Sequence, residues 1–424
     1  MEYTVEFWPL AVAAVLLAAV VGALWLFRRQ VARDKDDREQ RTERALASAR
    51  RAVAKTRRGR RPHRWVRARM QLAMLLTEAA GRRPDRARFD EALAILDQAI
   101  PVLREAKLTP ELATAVYYKG RVQWGLGGME PGCAMLEAAV ATFRECLAIE
   151  PWPRHLLRGV VVSLPAVILV DIGDRKDDVA ILEEGVALAR EAVESARPRV
   201  PIDKSIALRN LAHALGMLGR KTANPALLEE AIAAAREAIA TIRQQTFPGH
   251  WVACQANLGY ALGELGMLRG DAAMLDEALS VMEAAQSSDE VKWRREGHVM
   301  LAQNAGGVRL ALGRLRGDAA MLRRAADDLT ASLEAFQELA MPFGEAEAAR
   351  ALAQVLAALA GMEGDAECRS QAARLYRQAM EIFTRAGATR HAAETQEDLR
   401  LLEEASDRPQ AKDTARHRPV YIVR

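Results

Sequence analysis

Aromatic residues make up only 5% of this 424-residue chain, although half of it is hydrophobic. Alanine and leucine supply most of the apolar surface, which suits helices packed at close range. No run of alternating β-branched residues marks a strand, so the chain reads as all-α. Cysteine is also scarce. Cys133, Cys146, Cys254 and Cys368 are widely dispersed and form no CxxC pair, which excludes a zinc ribbon or a thioredoxin-like motif. Thiols scattered in this way suit a reducing compartment better than a disulfide framework. The seven histidines never pair at i, i+4, and no HExxH occurs. No glycine-rich loop ends in Lys-Ser or Lys-Thr, and Gly125-Leu126-Gly127-Gly128 reads as a turn between helices. Acidic pairs such as Glu183-Glu184 and Glu229-Glu230 recur at like positions and read as scaffold. The sequence therefore offers no catalytic residue, no cofactor site and no metal site, and a non-enzymatic role is expected.

Charge is present but unevenly placed. The net is +4, yet from Arg28 to Arg69 there are 17 Lys/Arg against 5 Asp/Glu. Glu2 and Glu6 precede that basic segment, so Met70 to Arg424 sums to 4 − 12 + 2 = −6. Ahead of it, residues 8–27 read WPLAVAAVLLAAVVGALWLF without a charge. A helix of that length rises about 30 Å, enough to cross the hydrocarbon core. Glu2 and Glu6 stand where a cleavable signal would need positive charge, which favours an uncleaved anchor. The arginines after Phe27 place the C-terminal side inside. The expectation is a single-pass protein of a bacterial inner membrane, with its N-terminus outside and its body in the cytosol. Residues 28–61 form a basic helical stalk. Arg57, Arg58, Arg60, Arg61 and Arg64 read first as a solvated stalk and second as a contact for anionic lipid. Nucleic acid ranks last, because aromatic residues are not interleaved there.

A repeat dominates the remainder. Asn210, Asn257 and Asn304 are 47 residues apart, as are Leu218, Leu265, Leu312 and Leu359. Asn224, Asp271, Asp318 and Asp365 hold the same step, and so do Ala231, Ala278, Ala325 and Ala372. Towards the N-terminus the step is 46, through Gly81, Gly127, Gly173 and Gly219 and through Leu136, Leu182 and Leu228. Each unit reads as a helical hairpin. Val252 to Leu265 forms a first helix ended by Gly266, and Asp271 caps a second helix over Ala272–Ala285. A lone hairpin cannot bury its apolar face, so the units must stack. About seven units fill residues 62–387, with a capping helix over 388–405 and a flexible tail over 406–424.

Asn257-Leu258-Gly259-Tyr260-Ala261-Leu262-Gly263-Glu264-Leu265-Gly266 resembles the first helix of a tetratricopeptide repeat. Asp276-Glu277-Ala278-Leu279 resembles the start of its second helix. The usual unit is about 34 residues, so this chain is similar to long-unit bacterial arrays of that family. The resemblance covers about three-quarters of the chain. It implies a right-handed α-solenoid whose concave face, lined by first helices, holds peptides or helices of partner proteins. By register Arg209, Asn210, His213, Asn257, Tyr260, Gln303 and Asn304 project there, with Tyr118 and Arg121 further along. The competing reading gives the asparagine column to hydrogen bonding within the repeats. The function expected is that of a membrane-anchored adaptor for other proteins, with a lipid or nucleic-acid binder through Arg57–Arg69 as the alternative.

Overall fold

A computed structural model of the chain describes residues 39–56, 62–150, 152, 156–197, 199–288 and 295–407. Among these residues there is no strand, and helices account for nearly everything. Two compact units are present, Met1–Leu75 and Leu76–Arg424.

The first unit contains helix α1 over 39–54 and the start of α2 (Pro62–Arg82). Leu46 and Ala49 of α1 and Trp65 of α2 are buried, and the Arg69 guanidinium lies 3.9 Å over the Trp65 ring. Arg64 is exposed, whereas Arg57, Arg58, Arg60 and Arg61 lie outside the described residues. So does the apolar stretch 8–27. The expected single-pass placement in an inner membrane is corrected by the finding made on the described part: no helix there is long and apolar enough to cross a membrane. Charges interrupt the candidates. Even α6 (Arg158–Lys176), with its run of valine and leucine, carries Asp171, Asp174 and Arg175.

The second unit is a stack of helical hairpins. After α3 (Arg86–Glu105) come the first helices α4 (Thr109–Gly128), α6, α8 (Pro201–Thr222), α10 (Pro248–Arg269), α12 (Arg295–Arg316) and α14 (Pro342–Glu363). They alternate with the second helices α5 (Ala134–Leu147), α7 (Val179–Ser195), α9 (Pro225–Thr241), α11 (Ala272–Gln286), α13 (Ala319–Glu338) and α15 (Ala366–Ala386). Helix α16 (Thr389–Asp407) follows. From α8 onward the starts Pro201, Pro248, Arg295 and Pro342 are 47 residues apart, and so are Pro225, Ala272, Ala319 and Ala366.

Local chemistry sets each hairpin. Asp178, Asn224, Asp271, Asp318 and Asp365 cap the second helices, each side chain accepting from backbone N–H groups that would otherwise lack a partner. The first helix does not stop at Gly266, as its sequence suggested. It runs on to Arg269 and is terminated by Gly270 in the left-handed conformation, φ 65°. Gly266 instead allows a close helix approach, since a Cβ there would come within 3.0 Å of Leu275. The same close approach pairs Gly127 with Leu136, Gly173 with Leu182, Gly219 with Leu228 and Gly313 with Leu322. In the last hairpin the equivalent pair is Ala360 and Arg369: where the leucine is absent, the glycine is too. The segment Gly125–Gly128 is likewise helical rather than a turn, with Gly125 against Phe89.

Each first helix packs on the next first helix as well as on its own partner, from α6 and α8 through to α14 and α16, whereas second helices do not pack on each other to a comparable extent. They are instead linked by ion pairs: Arg190–Glu230 at 2.9 Å, Arg236–Glu277 at 2.9 Å, and Arg144–Glu184. Such exposed pairs contribute roughly 0–1 kcal/mol each. A stack packed tightly on one side and loosely on the other must curve towards its first helices. The curve closes within this unit. Asp177, at the end of α6, pairs with Lys221 of α8 and with Arg390 of α16 at 2.7 Å, and the Arg175 guanidinium sits 4.8 Å from the Phe343 ring of α14.

Candidate functional site

First helices that face inward and close on themselves enclose a cavity of about 720 Å³. That lies within the range of about 300–1,000 Å³ common for ligand sites. Its wall sets charged side chains among glycines, methionines and aromatics, with Met217, Met267, Met341, Trp124, Phe336 and Phe343 among the lining residues.

The centre of this wall is Asp174, 5% exposed, which accepts a hydrogen bond from Arg220 at 2.7 Å. His391 Nε2 lies 3.7 Å from its other oxygen. Burial acts to raise the Asp174 carboxyl, but Arg220 and then His391 overcome it and hold it well below the usual carboxylate range. Arg220 in turn is held above its ordinary value by Tyr260, Asp174 and Glu264, against the effect of burial. Three further arginines of the wall are matched as well. Arg175 Nη1 donates to the carbonyls of Glu130 and Gly132, both at 3.1 Å, and Arg350 donates to Asp398 at 3.0 Å and Glu394 at 2.9 Å. Arg121 pairs with Glu78.

The other carboxylates differ. Neither Glu264 nor Glu347 makes a hydrogen bond or ion pair with any described residue. Burial pushes Glu264 up to about 7, with Arg220 too weak a counterweight. Burial together with the nearby Asp174 charge pushes Glu347 up to about 7. Asp171, hydrogen-bonded to Trp124, is raised by burial to about 6. His213 goes the other way: burial and then Arg209 push it down to about 4, so it is neutral at pH 7. Each of these side chains keeps some accessible surface, and that surface faces the cavity. Among the described residues, three buried polar atoms on the wall lack a hydrogen-bond partner, namely Arg220 Nε, Gln303 Oε1 and His391 Nδ1. Buried polar groups are nearly always satisfied, so such atoms call for an explanation.

Of the side chains expected on the concave face, Arg121, His213, Asn257, Tyr260, Gln303 and Asn304 line this cavity. Asn210 does not, and its expected partner-facing place is corrected. It is 4% exposed, donates to Ser163 Oγ at 2.7 Å and accepts from Arg209 at 2.9 Å. Asn257 also donates across to the Arg209 carbonyl at 2.8 Å. The column thus ties one first helix to the one before it. Tyr118 lies edge-on to Tyr117 under Arg121 and, like Arg209, lies off the cavity wall. Sequence reasoning passed over Asp171, Asp174, Arg220, Glu264, Glu347 and His391. Their signal was charge on an otherwise small and apolar helix face, as in Gly263-Glu264-Leu265-Gly266. Among the described residues no group of three or more His, Cys, Asp or Glu could hold a metal ion.

No protein-family model and no curated protein sequence matches the chain. Among solved structures, it is similar to a Rap protein complexed with Competence and Sporulation Factor. That match has 12% identity and a TM-score of 0.40, covering 80% of this chain and 98% of the other. It is also similar to BtubC from P. vanneervenii, at 16% identity and TM-score 0.27, covering 56% of this chain and 97% of that one. For yeast Tom70 the identity is 9% and the TM-score 0.18, with 87% and 100% covered. At these scores the likeness says nothing of what this chain binds.

Proposed function

We propose that this chain is a binding protein, not an enzyme, which takes a short extended segment of a partner protein into the cavity enclosed by its first helices. The observation that carries this reading is the cavity itself, about 720 Å³ of space walled by Asn257, Tyr260, Gln303 and unpartnered polar atoms. A peptide backbone offers donors and acceptors at every residue, and side-chain amides and hydroxyls along a solenoid suit it. The resemblance of Asn257–Gly266 to a tetratricopeptide first helix agrees with this use. Membership of a long-unit branch of that family belongs to the same reading.

Gly307 supplies the test. It lines the cavity, and a Cβ there meets nothing within 4 Å, so Gly307→Trp introduces bulk into the space from an open position. Gly361 is equally open but lies off the cavity wall, so Gly361→Trp is the control. Partners crosslinked to the wild type should be lost from Gly307→Trp and kept by Gly361→Trp. Retention by both variants would remove the cavity from the account.

A further inference from the structure

The balance of partners around the cavity is lopsided. The guanidiniums set into the wall are answered: Arg121 by Glu78, Arg175 by two carbonyls, Arg220 by Asp174, and Arg350 by Glu394 and Asp398. Arg82, at the end of α2, also lines the cavity, as an exposed residue. Among the described residues, what is left on the cavity wall to receive an anionic ligand is this exposed Arg82 and the single unpartnered Nε of Arg220. The carboxylates are not all answered. Glu264 on α10 and Glu347 on α14 reach the cavity with no direct partner among the described residues, and Gln303 on α12, between those two helices, presents a buried carbonyl oxygen that also has none. A second feature of the wall is an unpartnered ring nitrogen. His391 is 3% exposed and lines the cavity, and its Nδ1 has no hydrogen-bond partner among the described residues. Carboxylates largely withdrawn from water and without partners are costly in the ionised form unless a ligand completes them.

We propose that the cavity is selective for a cationic side chain of the bound peptide, a lysine ammonium or an arginine guanidinium, received by the carboxylates of Glu264 and Glu347 with Gln303 Oε1 as a further acceptor. This rests on the peptide-binding reading above and names the chemistry of its ligand. An ammonium brings three donors and no acceptor, and a guanidinium five, so either suits a wall whose open groups are mostly acceptors. Phosphorylated or acidic peptides meet two unanswered carboxylates and are rejected by like charge.

Binding is linked to proton release. Glu264 faces Arg220 and Asp174 and, beyond them, Tyr260; Glu347 faces Asp174, Arg220, Arg175 and His391. Both carboxyls titrate at about 7. A group of that pKa goes from about 10% to about 90% ionised between pH 6 and 8, so cation binding should strengthen roughly ninefold per carboxylate over that interval.

The test is a selection from a random hexapeptide library on the immobilised full-length chain at about pH 8, repeated at about pH 6, with Glu264→Gln/Glu347→Gln as the comparison. Glutamine keeps shape and relieves two buried charges, so the variant should fold. The proposal expects Lys and Arg to be enriched about tenfold or more by the wild type at the higher pH. The enrichment should weaken at the lower pH and disappear in the double variant. Peptides enriched without Lys or Arg, or a cationic preference that survives the double substitution, overturn it while leaving the peptide-binding reading standing. If no peptide is enriched at either pH, both fall together.

Discussion

Ala223 occupies a place that glycine fills further along the chain. It ends α8 in the left-handed conformation, φ 49°, where Gly270, Gly317 and Gly364 stand at φ 65°, 63° and 73°. For an L-residue that conformation costs roughly 1–2 kcal/mol, and glycine's extra unfolded-state freedom offsets about half of it. Ala223→Gly should therefore stabilise the fold by roughly 0.5–1 kcal/mol, seen as a higher urea midpoint at unchanged slope. Glu264 gives a second prediction at this scale, with its sign set by linkage. Its folded pKa, about 7, lies above the ordinary glutamate value of 4.5. The stability it contributes is thus full below pH 4.5 and is lost as pH rises through 7. Glu264→Gln removes that loss. The variant should gain in melting temperature over the wild type at pH 8 and come level with it below about pH 4.5, and an equal difference at both would contradict the burial argument. Caps were easy to see in the sequence, because an Asp or Asn before an apolar-periodic run has one local meaning. Asn210 was harder, since its column has the same period whether the side chain faces a partner or, as here, Ser163.

Among the helices, the glycine–leucine contact decides how closely the two helices of a hairpin approach. Gly266→Ala places a Cβ 3.0 Å from Leu275 Cγ and 3.2 Å from the Leu275 backbone nitrogen, and backbone cannot swing aside. A loss of roughly 1–3 kcal/mol is expected. Gly361→Ala, with nothing within 4 Å, should go the other way by about 0.5–1 kcal/mol, because only helix propensity is at stake. Opposite signs in paired denaturant titrations are the check. Both positions read alike in the sequence, as glycines near the end of a first helix, and spacing alone makes Gly266 look like a stop. What distinguishes them is Leu275, nine residues away on the next helix.

Across the second unit, closure rests on contacts that no local pattern reveals. Asp177 and Arg390 are 213 residues apart, and their meeting depends on the accumulated curvature of the intervening hairpins. The cavity wall was opaque for the same reason. Glu264 and Glu347 looked like ordinary helix charges until curvature turned both inward. The hairpins, their caps and their order were legible, because each follows from spacing within one unit. Arg390→Ala should loosen the closure, leaving the rest of the stack intact but speeding amide exchange in α16 several-fold. The central claim is that partners are held inside the cavity rather than on the outer helices. It is tested most directly by placing a photoreactive benzoylphenylalanine at Ala256, on the cavity wall, or at Glu277, on the exposed face of α11. Irradiation should join a partner segment to the Ala256 position and not to Glu277. Crosslinks from Glu277 alone would place recognition on the outer surface and contradict the account.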